Sequence, residues 1–343
     1  MNNKGGNMKI AINGFGRIGR LVFRILNSDP DFEVVAINDL TDAEQLAYLL
    51  KYDTAHGRLE KDNISYNNNQ LIINDKKITI YAEKDPHNLP WQELDIDFVF
   101  ECTGVFTSKE QCLGHIKAGA KMVILSAPAK GEEPVKTIVY GVNHNILDGT
   151  EDVISTASCT TNCLAPVLKV LNDNFKIKTG FMTTVHAYTN DQTTLDLAHK
   201  KGISSRRGRA AAANIIPTST GAASAIGFVL PELEGKMDGI AMRVPVITGS
   251  VIDLTLQLEK EVTKEEINNT FKNSVNETLG FTNDPIVSSD VITSSFGAIV
   301  DGLSTKVITT TSGQLVKVIA WYDNEMGYSA QMVRTAKYFM TLI

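Results

Sequence analysis

Along the first half of the chain, apolar residues gather into short runs separated by amphipathic stretches. Met8-Lys9-Ile10-Ala11-Ile12-Asn13 and Phe32 to Ile37 read as strands, with a helix in the stretch Arg20 to Asn27 between them. Leu71 to Tyr81 predicts a hairpin around Asn74-Asp75-Lys76, with Asn67-Asn68-Asn69 as a solvated approach loop. Phe98 to Gly104 and Lys121 to Ser126 read as buried strands ending in small or hydroxylated residues. Strands alternating with helices predict a parallel sheet built from βαβ units.

After the short strand Val153 to Ala157 the pattern changes. A helix is predicted to begin at Ser158-Cys159, and a strand runs from Lys178 to Val185, ending at His186. Val251 to Leu258, Ile286 to Ile292, Ser294 to Val300 and Leu315 to Tyr322 then read as strands. Lys264 to Glu277 is the clear helix among them, and Met326 to Leu342 is a closing amphipathic helix. The fold class that follows is α/β, a parallel-sheet domain with a second, α+β domain.

The first turn sharpens that reading. Gly14-Phe15-Gly16-Arg17-Ile18-Gly19 follows a strand and opens a helix, which is the dinucleotide fingerprint in its proper setting and makes the first domain a Rossmann-type dinucleotide-binding domain beside the second, α+β one. Gly14 permits the tight turn, Gly16 lets the backbone approach a pyrophosphate, and Gly19 lets helix and strand pack closely. Asp39 stands 20 residues past Gly19 at the end of the second strand, placed to bind the ribose hydroxyls of NAD and to repel the extra phosphate of NADP. Ligands of open α/β sheets bind at the carboxyl ends of strands, so Thr103, Gly104 and Ser126 are candidates to line the cleft.

Composition removes several classes of function. The 343 residues exceed what one hydrophobic core usually serves, and 43% hydrophobic with 21% charged residues is ordinary globular composition. No apolar run reaches the roughly 20 residues of a membrane span. Residues 1–7 lack the apolar centre of a signal peptide and predict a disordered extension. Four cysteines without a secretion signal suggest no disulfide framework, which predicts a cytoplasmic protein. Cys159 and Cys163 are four apart with no second ligand pair, so no metal is expected. The net charge of −6 disfavours nucleic acid as a primary partner.

Cys159 is the candidate nucleophile, because a thiol in the first turn of a helix meets unpaired N–H groups and the positive end of the dipole. This setting predicts a lowered thiol pKa. His186, at a strand end, is the candidate base. His56, His87, His115, His144 and His199 fall in apparent loops or helix surfaces; Cys102 reads as packing, Cys112 in mid-helix has no role assigned, and Cys163 reads as structural or at most an oxidation partner. Between His199 and Ala210 lie Lys200, Lys201, Arg206, Arg207 and Arg209 with no acid among them. Arg243 sits in an apolar strand and needs an acid or an anion as partner. Two separate arginine positions suit a phosphorylated substrate and a second phosphate.

Taken together, Asn13 to Arg20, Ser158 to Cys163, His186 to Gln192 and Trp321-Tyr322-Asp323-Asn324-Glu325-Met326-Gly327-Tyr328 resemble the phosphorylating glyceraldehyde-3-phosphate dehydrogenase family, from Met8 almost to the last residue. The resemblance implies NAD-dependent oxidative phosphorylation of D-glyceraldehyde 3-phosphate through a hemithioacetal and a thioester on Cys159, with His186 as base. It assigns Thr189 and Arg243 to the substrate phosphate, and Ser158, Thr160, Thr220, Gly221 and Arg207 to inorganic phosphate. Cofactor contacts fall to Arg17, Ile18, Asp39, Lys84 and Ser126, with lysine at 84 where arginine is common. Asn324, with Tyr328 in the same motif, falls to the nicotinamide end. The implied division is 8–158 for NAD, completed by helix 323–343, and 159–322 for catalysis; the implied assembly is a homotetramer. Erythrose-4-phosphate dehydrogenase is the enzyme alternative, aspartate-semialdehyde dehydrogenase a more distant one, and a non-catalytic NAD-binding regulator or adhesin the alternative of another class. Two departures from the pattern are Leu197-Ala198, where the family often has Leu-Pro, and a longer segment from His199 to Arg206.

Overall fold

The computed structural model describes residues 7–59, 62–199 and 202–343, so the expectation for residues 1–6 and the cations Lys200 and Lys201 lie outside it. The chain divides into two compact units. One runs to Ile138 and also takes in His144–Ala157 and Met332–Ile343; the other holds Val139–Asn143 and Ser158–Gln331.

The first unit is built on a nine-stranded sheet. Its strands are β1 (Met8–Asn13), β2 (Phe32–Asn38), β3 (Ile64–Asn67), β4 (Gln70–Ile73), β5 (Lys76–Tyr81), β6 (Phe98–Glu101), β7 (Met122–Leu125), β8 (Lys136–Thr137) and β9 (Val153–Ser155), in the order β3-β4-β5-β2-β1-β6-β7-β9-β8. From β5 to β8 every neighbouring pair is parallel. That is why Ile10, Ala11 and Ile12, or Phe98, Val99 and Phe100, are apolar and buried without alternation. The chain leaves β1 for β2 on one side and reaches β6 on the other, so the topological switch point lies beside the carboxyl end of β1.

The antiparallel edge differs from expectation in one respect. Asn67-Asn68-Asn69 is not merely an approach loop: Asn67 ends β3, and Asn68, at φ 50°, begins a two-residue turn into β4. The second turn places Asn74 and Asp75 at φ 47° and 71°, the left-handed pair that a tight hairpin demands and Asn and Asp tolerate.

The second unit carries eight strands, namely β10 (Ile177–Ala187), β11 (Ile216–Ser219), β12 (Met237–Val244), β13 (Ser250–Leu258), β14 (Leu279–Thr282), β15 (Ala298–Asp301), β16 (Lys306–Thr310) and β17 (Gly313–Tyr322). The order is β11-β12-β10-β13-β17-β15-β14, with β16 on β17. Along β13 burial alternates strictly, with Ile252, Leu254, Leu256 and Leu258 on the covered face. The helix Cys159–Phe175 packs across β10, β13, β15 and β17.

Two predicted strands here are corrected. Ile286 to Ile292 folds as a turn of 3₁₀ helix, Ser288–Val291, because the Asp290 carboxylate takes the Val287 N–H at 2.7 Å that a sheet neighbour would need. Ser294 to Val300 yields only the strand from Ala298, since Thr293 turns into the left-handed region at φ 71°. Among the described residues no helix is long and apolar enough to cross a membrane, and no group of three or more His, Cys, Asp and Glu residues could hold a metal ion.

Candidate active site

The helix Cys159–Phe175 begins at a sharp corner. Ala157 occupies φ 58°, and Ser158 caps the helix, its Oγ accepting the Thr161 N–H at 3.1 Å. This puts Cys159 at the first helical position. Its Sγ lies 3.4 Å from Nε2 of His186. On the other side of the ring, His186 Nδ1 lies 2.6 Å from the Ala187 carbonyl oxygen, which can only accept. Nδ1 therefore carries the proton, and Nε2 presents a lone pair to the thiol.

Sheet register explains who surrounds this pair. His186 on β10 is the direct partner of Arg243 on β12, and across β13 and β17 Ser250 is the partner of Tyr322. Arg243 Nη1 donates to the Ala187 carbonyl and to Thr189 Oγ1, each at 2.9 Å. Of the two partners predicted for this cation, an acid or an anion, an acid is not hydrogen-bonded to it among the described residues; its protein partners are a carbonyl and a hydroxyl. Tyr322 Oη bonds Thr160 Oγ1 at 2.9 Å and Thr184 Oγ1 at 2.8 Å beneath the thiol.

Burial and charge set the protonation of the pair. Burial, then the Arg243 cation, push the His186 imidazole down to about 3, so it rests neutral. Burial pushes the Cys159 thiol up, although Arg243 and the Thr160 hydroxyl and N–H pull it down. The lowered thiol pKa read from the helix terminus is therefore corrected: removal from water outweighs the helix end and the cation. The resting arrangement is a thiol beside a neutral imidazole. Cys163, one turn on, is fully buried with its Sγ 3.9 Å from the Ala320 carbonyl, and its thiol is pushed well up.

The second basic position is assembled from one residue of the arginine run. Arg207 is held by Asp191 and by Thr218 Oγ1 at 3.1 Å from Nε, whereas Arg206 is exposed and Arg209 pairs at the surface with Asp196. Thr189 Oγ1 also donates to Asp191, tying the two basic positions together. Thr220 and Gly221 follow β11, with Thr220 Oγ1 accepting the Ala222 N–H at 3.2 Å and Gly221 exposed. Asn324 is buried just past β17, its Oδ1 2.8 Å from Ser250 Oγ, and Tyr328 is buried in the following helix. Asp191, Ser250, Tyr322 and Thr184 are neighbours of the chemistry to which the sequence reading assigns no role; Asp191 and Tyr322 lie within the quoted motifs, whereas Ser250 and Thr184 carry no such signal.

In the first unit the glycine roles can be tested by geometry. Gly14 sits at φ 87°, and a Cβ on it would meet Thr103 N at 2.7 Å; one on Gly19 would stand 2.0 Å from the Gly14 carbonyl oxygen. A Cβ on Gly16 would meet nothing within 4 Å, so that space is open to a ligand at the amino end of helix Arg17–Leu26. A cleft of about 440 Å³ is lined there by Gly14, Gly16, Asp39, Lys84 and Thr103 among others. The Asp39 carboxylate is aimed by the Phe15 and Thr41 N–H groups at 2.7 and 2.9 Å. Gly104 is exposed, Ile18 half-buried, and Ser126 N bonds the Glu101 carbonyl. Arg17 is turned to Asp53 at 2.6 Å and His56 at 3.0 Å.

Two histidines are corrected. His56 is buried beside Asp53, and His115 is fully buried, accepting from Trp91 Nε1 at 3.0 Å and facing Glu101 at 3.2 Å. Asn13 joins the same network, its Nδ2 2.5 Å from Glu101 and its Oδ1 2.7 Å from Asn38.

Residues 8–109 match the family model described as glyceraldehyde 3-phosphate dehydrogenase, NAD binding domain, and residues 158–324 match its C-terminal domain. Among curated relatives, the glyceraldehyde-3-phosphate dehydrogenase of Clostridium pasteurianum is 57% identical over 331 residues, 96% of this chain and 98% of that protein. That of Clostridium acetobutylicum is 56% identical over the same length and shares, and that of Streptococcus pyogenes 53% over 333 residues, 97% and 98%. With both domains matched in order and the thiol, imidazole and glycine turn in their geometric places, the chain belongs to the glyceraldehyde-3-phosphate dehydrogenase family and is an NAD-dependent oxidoreductase.

Proposed function

We propose that the chain converts D-glyceraldehyde 3-phosphate and inorganic phosphate to 1,3-bisphosphoglycerate, with Cys159 as nucleophile and His186 as base. The observation that carries this reading is the 3.4 Å approach of Cys159 Sγ to a neutral His186 Nε2 whose other nitrogen is committed to Ala187. Nε2 takes the thiol proton as sulfur attacks the aldehyde carbon, then returns it to the carbonyl oxygen, giving a hemithioacetal. The chemistry that NAD supplies when bound is hydride acceptance, which leaves a thioester on Cys159. Nε2 takes the hydroxyl proton in that step and gives it back to sulfur when phosphate displaces the thiol.

Arg243 and Thr189 hold the substrate phosphate in this reading, since their mutual hydrogen bond presents a fixed cation and hydroxyl together. Arg207, Thr220, Gly221, Ser158 and Thr160 serve the attacking phosphate. Gly14, Gly16, Gly19, Arg17, Ile18, Asp39, Lys84, Thr103, Gly104 and Ser126 hold the dinucleotide, with Asn324 and Tyr328 at its nicotinamide end. The functional division in this reading, 8–158 with 323–343 for NAD and 159–322 for catalysis, follows the roles of the residues and differs from the compact units, which place 323–331 with the second unit. Assembly as a homotetramer is supported by exposed Leu195, Leu197 and Ile203 on one loop, which a neighbouring copy would cover. A cytoplasmic location is supported by four free cysteines.

Steady-state turnover of glyceraldehyde 3-phosphate and erythrose 4-phosphate, each with and without phosphate, tests the reading. Phosphate-dependent NADH formation from the triose is expected. Phosphate-independent turnover, or preference for the tetrose, overturns it.

A further inference from the structure

Ser250 opens β13 and is fully buried. Its Oγ lies 3.1 Å from the Ala187 nitrogen and 2.8 Å from Oδ1 of Asn324. A peptide N–H can only donate, so Oγ accepts from Ala187 and has one proton left for Asn324. The amide atom that receives this proton must be its oxygen. The second lone pair of Oγ could accept as well, but the buried hydroxyl proton needs an acceptor and Asn324 is the one it reaches, so Oδ1 is turned to Ser250 and Nδ2 is left to donate elsewhere.

Thr248 lies 3.4 Å from the same Oδ1 but plays a different part. Its Oγ1 is 2.8 Å from the Asp323 carboxylate, which accepts the single hydroxyl proton. Ala187, which gives its N–H to Ser250, receives His186 Nδ1 and Arg243 Nη1 on its carbonyl. One peptide group and one hydroxyl thus join the imidazole to the Asn324 amide, all within the second unit.

We propose that Ser250 is a positioning residue, holding the Asn324 amide with Nδ2 presented to the carboxamide of NAD and registering it to the strand end that carries His186. The proposal rests on the assignment of Asn324 to the nicotinamide. An amide free to turn over presents oxygen and nitrogen alike, and the carboxamide then no longer selects one ring face for hydride.

The experiment uses the full-length enzyme, glyceraldehyde 3-phosphate deuterated at C1, and NMR of the reduced cofactor to read which face of nicotinamide C4 receives deuterium. Ser250→Ala is expected to label both faces and to lower kcat about tenfold, the scale of one lost hydrogen bond. Alkylation of Cys159 by iodoacetamide should keep its rate in this variant. Ser250→Thr, which restores the hydroxyl, should label one face, and Thr248→Val should melt lower yet also label one face. Single-face transfer at the wild-type rate by Ser250→Ala, while Asn324→Ala labels both faces, overturns the proposal. Single-face transfer by Asn324→Ala as well overturns the assignment beneath it. Where the alanine variant does not fold, Ser250→Cys, similar in size but a weak donor, is read against the same outcomes.

Discussion

His186 and Arg243 stand in direct register on parallel neighbouring strands, and burial with this cation denies the imidazole a second proton. The consequence for stability has a definite sign. Between pH about 6.5, the ordinary value, and about 3, the unfolded chain binds a proton at this ring that the folded chain does not. The contribution is complete above the upper value and declines as pH falls, by up to about 1.4 kcal/mol per pH unit. Asparagine at 186 removes the effect, so His186→Asn should gain stability relative to wild type on going from pH 7 to pH 5. Urea midpoints at the two pH values measure it; an unchanged difference would mean that the folded ring already holds its second proton.

Cys159→Ser should abolish NADH formation, by about a thousandfold or more, because a serine hydroxyl lacks the thiol's nucleophilicity. NAD binding, measured by fluorescence titration, should be unaltered. Retained turnover would remove Cys159 from the chemistry.

Two glycines of one motif should fail in opposite ways. Gly19→Ala drives a methyl to 2.0 Å from the Gly14 oxygen and should cost about 3 kcal/mol or more of stability. Gly16→Ala meets nothing in the protein and should cost under about 1 kcal/mol. It should nevertheless weaken NAD binding at least about tenfold, since the methyl occupies the space left for the pyrophosphate. Thermal melts and cofactor titrations on both variants separate the two effects.

His115→Ala should destabilise the protein by about 3 kcal/mol, because it strands the Trp91 N–H and empties the volume of a fully buried ring, while Glu101 keeps the Asn13 and Thr103 donors. Denaturant unfolding checks the figure, and a loss under about 1 kcal/mol would mean that water replaces the ring at no cost.

What the sequence disclosed follows from the range of the forces involved. The glycine turn and the Ser158 cap were legible because each role is steric or local, decided within a few residues of Gly14 or Cys159. The contact between His186 and Arg243 was not, because it depends on the register of strands 57 residues apart. His115 was misread because one polar residue on a short helix looks solvated until Trp91 and Glu101, from other elements, are brought to it. Ile286 to Ile292 misled through its β-branched composition, while a single carboxylate, Asp290, decided the backbone.

Residues 332–343 belong to the unit whose sheet includes the strand Met8–Asn13. Lys337 reaches Asp29 and Asp31, and Phe339 packs on Phe98 at 5.9 Å, within a unit that otherwise ends at Ala157. On a ribosome, the amino-terminal sheet has to wait for residues 332–343, whereas every described strand of the second unit comes before them. The nascent first unit must therefore stay soluble with its Phe98 surface uncovered until the segment that carries Phe339 has been made, after every described strand of the second unit.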